Sequence, residues 1–261
     1  MIRRSGRPVW PWACITLALG FLYLPLFVIA LMSFNASTAP TLPIRGLTLD
    51  WYADLIEDQR FVDASVFSLK VAAVSTAIAV VLGTAAALAV AMRRALAYRM
   101  AAVLYVIPLL VPGLVLAVAM AAFFRLVEIR LSFWTVVAGH VVVNAPLVYL
   151  VVAARLRGFD WSLVQAARTL GAEPLQAFRR VTAPLIAPAV LGSAILSFAI
   201  SIDNFAVSLF LTGGESTVPL LIWSMMRAGF SPAVNALATI LVVGTLIAAV
   251  LAQLLTSMRT D

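Results

Sequence analysis

Six long apolar runs separate the few charged segments of this chain, and they decide its fold class. A segment needs about 20 mostly apolar residues to cross the hydrocarbon core of a bilayer, and lipid offers no hydrogen-bond partner to an exposed peptide group. Each run is long enough to cross as an α-helix that bonds its own backbone. The sequence therefore predicts an all-α membrane protein, with six transmembrane helices in one domain that covers residues 1–261. The predicted helices cover residues 10–33, 71–92, 101–124, 133–154, 185–211 and 233–256.

Charged residues make up only 11% of the chain, whereas about a quarter of the residues of an ordinary globular protein are charged. Four of the six runs contain no Asp, Glu, Lys, Arg or His, and the exceptions are His140 in the fourth and Asp203 in the fifth. The basic segment before the first run is typical of a secretion signal, but the run is much longer than the roughly 7 to 15 residues of a signal core. We therefore expect the first run to be retained as a helix.

The arginines predict the orientation, because the cytoplasmic flanks of membrane helices accumulate Lys and Arg. With both termini placed in the cytoplasm, the inner segments carry 12 basic residues and three acids, and the outer segments carry six basic residues and eight acids when the intramembrane Asp203 is counted with them. This asymmetry explains the pI near 10.5 as a consequence of topology. The lipid bilayer is then a partner of the chain, and nucleic-acid binding is not expected.

The residues that carry most enzyme chemistry are sparse. Cys14 is the single cysteine, so an intrachain disulfide is impossible and a metal cluster is not expected. Nothing matches the glycine-rich phosphate loop that ends in Gly-Lys-Ser/Thr. We therefore expect a non-catalytic membrane protein that binds no cofactor, with any ATP chemistry performed by a separate chain.

The segment 155–184 is unusually polar and long for a simple connection between the fourth and fifth runs. Asp160 is placed to cap a helix, Gly171 to end it in the left-handed conformation, and Pro174 to lie in the first turn of a second helix. We expect Pro184 to close that second helix. The apolar faces of the two helices consist of Leu163, Ala166, Ala167 and Leu170, followed by Leu175, Phe178 and Val181.

This segment resembles the EAA loop of ABC importer permeases, whose usual form is Glu-Ala-Ala, x3, Gly, x9, Ile-x-Leu-Pro. The chain keeps the spacing throughout and departs at three positions. Gln165 stands for Glu, Val181 for Ile and Ala183 for Leu. The resemblance implies the fold of a type I ABC importer permease (MetI-like) with a cytoplasmic coupling helix, in the inner membrane of a bacterium.

The resemblance also implies partners. They are a cytoplasmic ABC ATPase dimer that binds the ATP, a second homologous permease that forms a heterodimer with this chain, and a periplasmic substrate-binding protein. An amphipathic helix lying among the lipid headgroups is the alternative for the 155–184 segment. By resemblance, contact with the ATPase involves Gln165, Ala166, Ala167, Gly171, Glu173, Leu175 and Phe178.

The C-terminal third resembles more narrowly the PotC-type permeases of spermidine/putrescine importers. The usual Ser-x-Asp-Asp of that subfamily is here Ser201, Asp203 and Asn204, so the second acid is absent. The implied function is half of a translocation pathway for polyamines or a related small cationic solute. Other cargoes remain open within the class: 4-aminobutyrate, an opine, an aminophosphonate or ferric iron.

Asp203 is a candidate translocation residue, because a charged group inside the membrane is costly and marks a functional site by default. Ser201, Asn204 and Ser208 are its polar neighbours. We expect Asp203 to attract an ammonium group of the substrate or to brace the gate. The alternative is a packing role, with a buried carboxylate bonded to Ser or Asn of this chain or to the partner permease.

Two further features concern the helices themselves. His140 and Asn144 lie four residues apart on one helix face and favour helix–helix hydrogen bonds over contact with a cavity. Pro108, Pro112 and Gly113 predict a kink in the third helix, serving either as a hinge or as a static bend.

A secondary transporter or channel is the alternative from a different class. Such proteins often contain intramembrane ionisable groups for ion coupling and repeated broken helices in both halves. One Asp, one His and no visible repeat disfavour it.

Overall fold

A computed structural model describes residues 10–37, 44, 46–93, 95–229 and 231–257 of the chain. Within these residues helices dominate, and β-structure is limited to two isolated bridges, Asn35 with Leu47 and Gly213 with Glu215. The predicted all-α class is therefore confirmed for the described part of the chain. The helices are α1 (Trp10–Met32), α2 (Asp50–Glu57), α3 (Gln59–Met92), α4 (Leu96–Val106), a 3-10 turn (Ile107–Leu110), α5 (Gly113–Leu126), α6 (Phe133–Arg157), α7 (Ser162–Thr169), α8 (Pro174–Ala177), a π-helical turn (Phe178–Thr182), α9 (Ala183–Asp203), α10 (Phe205–Leu211), α11 (Val218–Ala228) and α12 (Pro232–Ser257).

Several of these helices are long and apolar enough to cross a membrane, as the sequence predicts. Four qualify singly: α1, α3, α6 and the continuous helix Pro174–Asp203. A fifth span is present if α4 and α5, with the 3-10 turn between them, are counted together. The chain is therefore a multi-pass membrane protein, and the residues that the structure describes contain four to five spans by length and composition.

The third predicted helix is broken, as its prolines predict. Leu96–Leu110 and Gly113–Leu126 meet at an angle of 105°. Pro108 and Pro112 lack the N–H groups that would continue the helical hydrogen bonds, and Pro112 instead occupies the position before α5. The sequence anticipates the kink but not its size, because a bend this large depends on the packing of both halves.

The fifth predicted run, 185–211, is not one helix, and this expectation was wrong. The chain leaves the helix at Asn204, which has φ −76° and ψ 86°. Its side-chain Oδ1 accepts a hydrogen bond from Val207 N at 3.1 Å and thereby begins α10. The helix therefore breaks at Asn204, which caps the following helix, although the surrounding run is apolar.

The chain divides into two compact units within its described residues. The larger unit contains Arg60–Leu221 and the residues from Thr245 onward, and the smaller contains the residues up to Gln59 with Ile222–Gly244. In the smaller unit, the end of α1 is tied to α2, since Ser33 Oγ lies 2.6 Å from Tyr52 OH. Trp51 Nε1 also donates to the Asn35 carbonyl at 2.9 Å.

The core of the larger unit is formed where α6 packs along α9 and α10 packs on α5. Two glycines permit close helix contacts there. A Cβ at Gly83 would lie 2.6 Å from the Ala145 carbonyl oxygen, and a Cβ at Gly139 would lie 2.5 Å from Val207 Cγ1. Glycine at these two positions brings α3 and α10 close to α6. Buried side chains of one core cluster are Ala79, Ala87, Ala145, Val148, Tyr149, Val152, Leu156 and Ile186.

Candidate functional site

The first helix of the 155–184 segment begins close to its predicted start. Asp160 Oδ1 accepts a hydrogen bond from Ser162 N at 2.9 Å, and α7 begins at Ser162, so Trp161 rather than Asp160 stands directly before the helix. Hydrogen bonds from Ser162 lower the pKa of the Asp160 carboxyl. The carboxylate therefore satisfies an N–H group that the helix itself leaves free.

The end of α7 confirms the conformation predicted for Gly171. Its φ is +88°, in the left-handed region that disfavours residues with a Cβ. Ala172 N donates to the Ala167 carbonyl at 3.1 Å and Gly171 N donates to the Arg168 carbonyl at 3.0 Å. This pair of bonds is a Schellman motif, which satisfies carbonyls at the end of the helix.

The second helix starts as predicted and ends elsewhere. Glu173 and Gln176 form a reciprocal capping box, and Pro174 occupies the first turn of α8. The expectation that Pro184 closes this helix was wrong, because the helix continues without interruption to Asp203. The π-helical turn Phe178–Thr182 precedes the proline, and Ala183 N bonds there to the Phe178 carbonyl. A proline in the first turn after this change of pitch is tolerated, because its missing N–H falls where the hydrogen-bond pattern shifts.

Aromatic and aliphatic side chains hold the segment against the spans. The rings of Phe159 and Trp161 meet edge to face at 4.8 Å, and both pack on the core cluster that includes Leu156 and Ile186. Arg155 Nε donates to the Leu185 carbonyl at 3.1 Å. The segment is therefore fixed at both ends to α6 and α9.

Most residues predicted to meet the ATPase lie on the surface of this segment. Gln165, Ala166, Gly171 and Glu173 are exposed, and Ala167 is half-buried. Leu175 is 63% exposed and Phe178 is also exposed.

Leu170 is 88% exposed, and the set of predicted contact residues does not include it. Its place in the apolar spacing of α7 was the signal that could have found it. We refer to the exposed side chains of Leu170, Leu175 and Phe178, together with the left-handed turn at Gly171, as the outer face of the segment.

The polar residues around Asp203 do not form one cluster. Ser201 is buried, with its Oγ 2.5 Å from His140 Nδ1 and 3.0 Å from Ser75 Oγ. Ser208 is buried and donates to the Asn204 carbonyl at 2.8 Å. The two serines are thus engaged in bonds between and within helices.

Asp203 itself is exposed at the last residue of α9, and it forms no hydrogen bond or ion pair with the residues that the structure describes. The carboxylate is therefore not buried against a Ser or Asn among the described residues, and the alternative of packing against the partner permease stays open. Asn204, beside it, is half-buried and caps α10. Of the four predicted residues, Asp203 and Asn204 remain at the break between α9 and α10.

His140 and Asn144 confirm the prediction of helix–helix hydrogen bonds. Both are fully buried, and Asn144 Nδ2 donates to the Ser197 carbonyl at 3.3 Å, while His140 meets Ser201. Both partners lie on α9. These bonds connect α6 to α9 at two points one helical turn apart.

Solved structures of ABC transporters are similar to this fold. The fold matches a chain of the MetNI methionine ABC transporter in inward-facing conformations, with TM-score 0.67, 18% identity and coverage of 82% of this chain and 100% of that chain. It also matches a bacterial ABC transporter that imports the acidic polysaccharide alginate, with TM-score 0.71, 14% identity and coverage of 97% and 96%. At these identities the matches show the fold of an ABC importer permease.

Proteins related to this chain by sequence have higher identities to it than these structures. The chain is 34% identical over 241 residues to the spermidine/putrescine transport system permease protein PotC of Escherichia coli (strain K12), covering 92% of this chain and 91% of that protein. It is 33% identical to the putrescine transport system permease protein PotI of the same strain, covering 88% and 85%. Residues 79–259 match the family described as the binding-protein-dependent transport system inner membrane component. The chain therefore belongs to that family, and it is a non-catalytic permease subunit of an ABC importer.

Proposed function

We propose that this chain forms half of the translocation pathway of an importer for polyamines such as spermidine and putrescine. The observation that carries the proposal is the 34% identity to PotC over 92% of the chain. PotC and PotI are both named for polyamine transport. The partners in the proposal are a second homologous permease, a periplasmic substrate-binding protein and a cytoplasmic ATPase dimer that binds the ATP.

We further propose that the chain has six transmembrane spans and that both termini lie in the cytoplasm. The sixth span is α12, whose 26 residues extend about 39 Å, enough to cross the hydrocarbon core. The excess of arginines in the segments placed inside supports the orientation. Residues 155–184 then lie on the cytoplasmic side.

We assign the outer face of the 155–184 segment as the docking surface for the ATPase. Leu170 and Leu175 expose apolar area that a protein partner would remove from water. Gly171 has no side chain, and no atom outside its own neighbours lies within 4 Å of the position of a Cβ, so a partner can approach the backbone closely. The segment is also fixed to α6 and continuous with α9, so that movement at the surface passes directly to both spans.

Asp203 is, in this proposal, the residue that meets the cationic cargo. Its carboxylate is exposed and unpaired within the described residues, which leaves it free to accept a charge-assisted hydrogen bond from an ammonium group. Asn204 supplies an adjacent polar side chain at the break. Ser201 and Ser208 support this position from within the protein rather than touching the cargo.

Uptake by the assembled complex in proteoliposomes tests the proposal. Labelled spermidine is expected to enter in an ATP-dependent manner, with competition by putrescine and none by 4-aminobutyrate or ferric iron. Uptake of 4-aminobutyrate or iron but not of spermidine would contradict the polyamine assignment.

The variant Asp203→Asn is expected to reduce spermidine uptake roughly 10- to 100-fold, the loss of one charge-assisted hydrogen bond to the cargo. Assembly with the ATPase should be unchanged. Asp54→Asn is the matched control, because Asp54 is an exposed acid on α2 far from this break in sequence. Full uptake by Asp203→Asn would remove Asp203 from the pathway.

A further inference from the structure

Two buried side chains of the span α6 each have one unpaired polar atom. His140 and Asn144 have no exposed surface, and each uses its other polar atom to bond α9. Among the residues that the structure describes, His140 Nε2 and Asn144 Oδ1 have no hydrogen-bond partner, and both atoms are buried. Buried polar groups are almost always paired, so these two atoms indicate a further partner.

The contacts with α9 place the two unpaired atoms near each other. His140 Nδ1 lies 2.5 Å from Ser201 Oγ, and Asn144 Nδ2 donates to the Ser197 carbonyl at 3.3 Å. On both helices these residues are four apart, and residues at this spacing have Cβ atoms about 5–6 Å apart on one face. Nε2 belongs to the same ring as the bonded Nδ1, and Oδ1 belongs to the same amide as the bonded Nδ2. Both unpaired atoms therefore lie at the contact between α6 and α9, about one helical turn apart.

The helix α3 also takes part in this contact. Ser75 Oγ lies 3.0 Å from Ser201 Oγ, and Ser197 Oγ donates to Thr76 Oγ1 at 3.5 Å. All four of these side chains are buried. The hydrocarbon core of a membrane offers no water to an unpaired group at its surface. A partner for Nε2 and Oδ1 is therefore small and lies inside the protein.

The hydrogen bonds around His140 limit the chemistry of this partner. Ser75 Oγ donates either to the Ala72 carbonyl, at 3.3 Å, or to Ser201. In the first case Ser201 donates to Ser75 and accepts from Nδ1, so Nε2 of the neutral ring carries no proton. In the second case Ser201 donates to Nδ1, and Nε2 carries the proton. Asn144 Oδ1 accepts in both cases, so the partner must donate to Oδ1 and either donate to Nε2 or accept from it.

We propose that a single water molecule is bound here and bridges His140 Nε2 and Asn144 Oδ1. Two hydrogen bonds of about 2.8 Å let one water join atoms up to about 5.6 Å apart, which matches the spacing of the two residues. Water can donate both of its protons or donate one and accept one, so it fits either form of the imidazole. Immobilising one water costs less free energy than leaving two buried polar atoms unpaired.

The water supports the contact between the two spans. It holds the imidazole and amide in the orientation in which Nδ1 and Nδ2 face α9, and so it stabilises both bonds to that helix. A metal ion is a poorer occupant, because no group of three His, Cys, Asp or Glu side chains able to hold one exists among the described residues. The site consists of residues of this chain alone, so it does not depend on the cargo or on the docking surface proposed above.

Solid-state NMR of the full chain in nanodiscs of deuterated lipid tests the proposal, because His140 is the single histidine of the chain. Labelling histidine with an NMR-active nitrogen isotope gives signals from one imidazole only. Magnetisation from water protons is expected to reach Nε2 strongly and Nδ1 weakly, since Nδ1 is bonded to Ser201. Absence of transfer to Nε2, or equal transfer to both nitrogens, would overturn the proposal.

Variants at position 144 test the second partner of the water. Asn144→Leu removes Oδ1 and should abolish the transfer to Nε2. Asn144→Asp should retain it, because a protonated carboxyl keeps one donor for the Ser197 carbonyl and one acceptor for the water. Asn235→Leu makes the same exchange on α12 and is the matched control, which should also retain the transfer.

Size-exclusion chromatography and thermal unfolding show whether each variant is folded. Transfer that persists in a folded Asn144→Leu would overturn the bridge, because the water would then not need Oδ1. Equal loss in Asn235→Leu would overturn it as well. If Asn144→Leu does not fold, the comparison of Nε2 with Nδ1 in the unmodified chain still decides the question.

Discussion

Replacing Gly171 with Ala isolates the contribution of one backbone conformation to coupling. The residue has φ +88°, and no atom outside its neighbours lies within 4 Å of where a Cβ would be placed. The substitution therefore introduces no steric overlap with other parts of the chain. Its effect comes from the left-handed conformation alone, which a residue with a Cβ adopts at a cost of about 1–2 kcal/mol.

That strain sets the magnitude of the expected change. A strain of about 1–2 kcal/mol favours a relaxed turn. It lowers the ratio of the conformation with both bonds of the Schellman motif to the relaxed conformation by a factor of roughly 5 to 30. A partner that binds only the native turn then binds more weakly by the same factor, since apparent affinity scales with the fraction of competent molecules. We expect Gly171→Ala to reduce the affinity for the ATPase dimer by this factor.

The assay is the binding of purified ATPase to the permease complex in nanodiscs, followed by interferometry. Gly171→Asn is a conservative variant for comparison. Asn tolerates the left-handed region, so this variant should retain much of the affinity for the ATPase. Gly158→Ala is the matched control in the same segment, since Gly158 has φ −97° and open space around it. An affinity unchanged in Gly171→Ala, or reduced equally in Gly158→Ala, would refute the reasoning.

Three more predictions concern stability. Gly83→Ala should lower the thermal stability of the chain, because overpacking against a backbone carbonyl costs about 1–3 kcal/mol. Gly192→Ala has open space around the new Cβ and should raise the thermal stability slightly. Thermal unfolding in detergent measures both, and a more stable Gly83→Ala than Gly192→Ala would contradict the close helix contact. Ser201→Ala should destabilise by about 1 kcal/mol because it leaves the buried Nδ1 of His140 unpaired, and equal urea-dependent unfolding of both chains would count against the bond. The pKa of Asp160 is lowered in the folded chain, so its stabilisation of α7 should be complete above the ordinary carboxyl pKa of about 3.9 and be lost as the pH falls through the lower folded pKa. Hydrogen exchange at pH 7 should show stronger protection of the start of α7 in the unmodified chain than in Asp160→Ala. Equal protection in the two proteins would contradict the cap.

Local chemistry in the 155–184 segment made much of its structure predictable from sequence. A glycine after an apolar helical pattern and a proline three residues later leave few conformations open to the turn, and both Gly171 and Pro174 lie as predicted. His140 and Asn144 were likewise predictable, because polar groups in a membrane helix need partners on a neighbouring helix.

The continuation through Pro184 was not predictable from local rules. A proline after a helix usually ends it, but here a π-helical turn precedes the proline and the helix continues as α9. The break at Asn204 was hidden for a similar reason, since hydropathy over a long window averages out a single capping residue. The exposure of Asp203 also depends on how α9 is rotated against α6, which the order of residues along one helix does not determine.

The continuity of the helix from Pro174 to Asp203 bears directly on how the proposed docking surface and the proposed cargo site communicate. These 30 residues form one element about 45 Å long, with the exposed side chain of Leu175 near one end and Asp203 at the other. Because there is no loop between them, we expect a displacement of the proposed docking surface to be transmitted along this helix to Asp203. The interruption comes one residue later, at Asn204, where the helical hydrogen bonds are replaced by a side-chain cap. In the proposed transport cycle we therefore expect relative movement between α9 and α10 to centre on this break, next to the carboxylate that we assign to the cargo. Stiffening the break is expected to reduce transport while leaving ATPase binding intact.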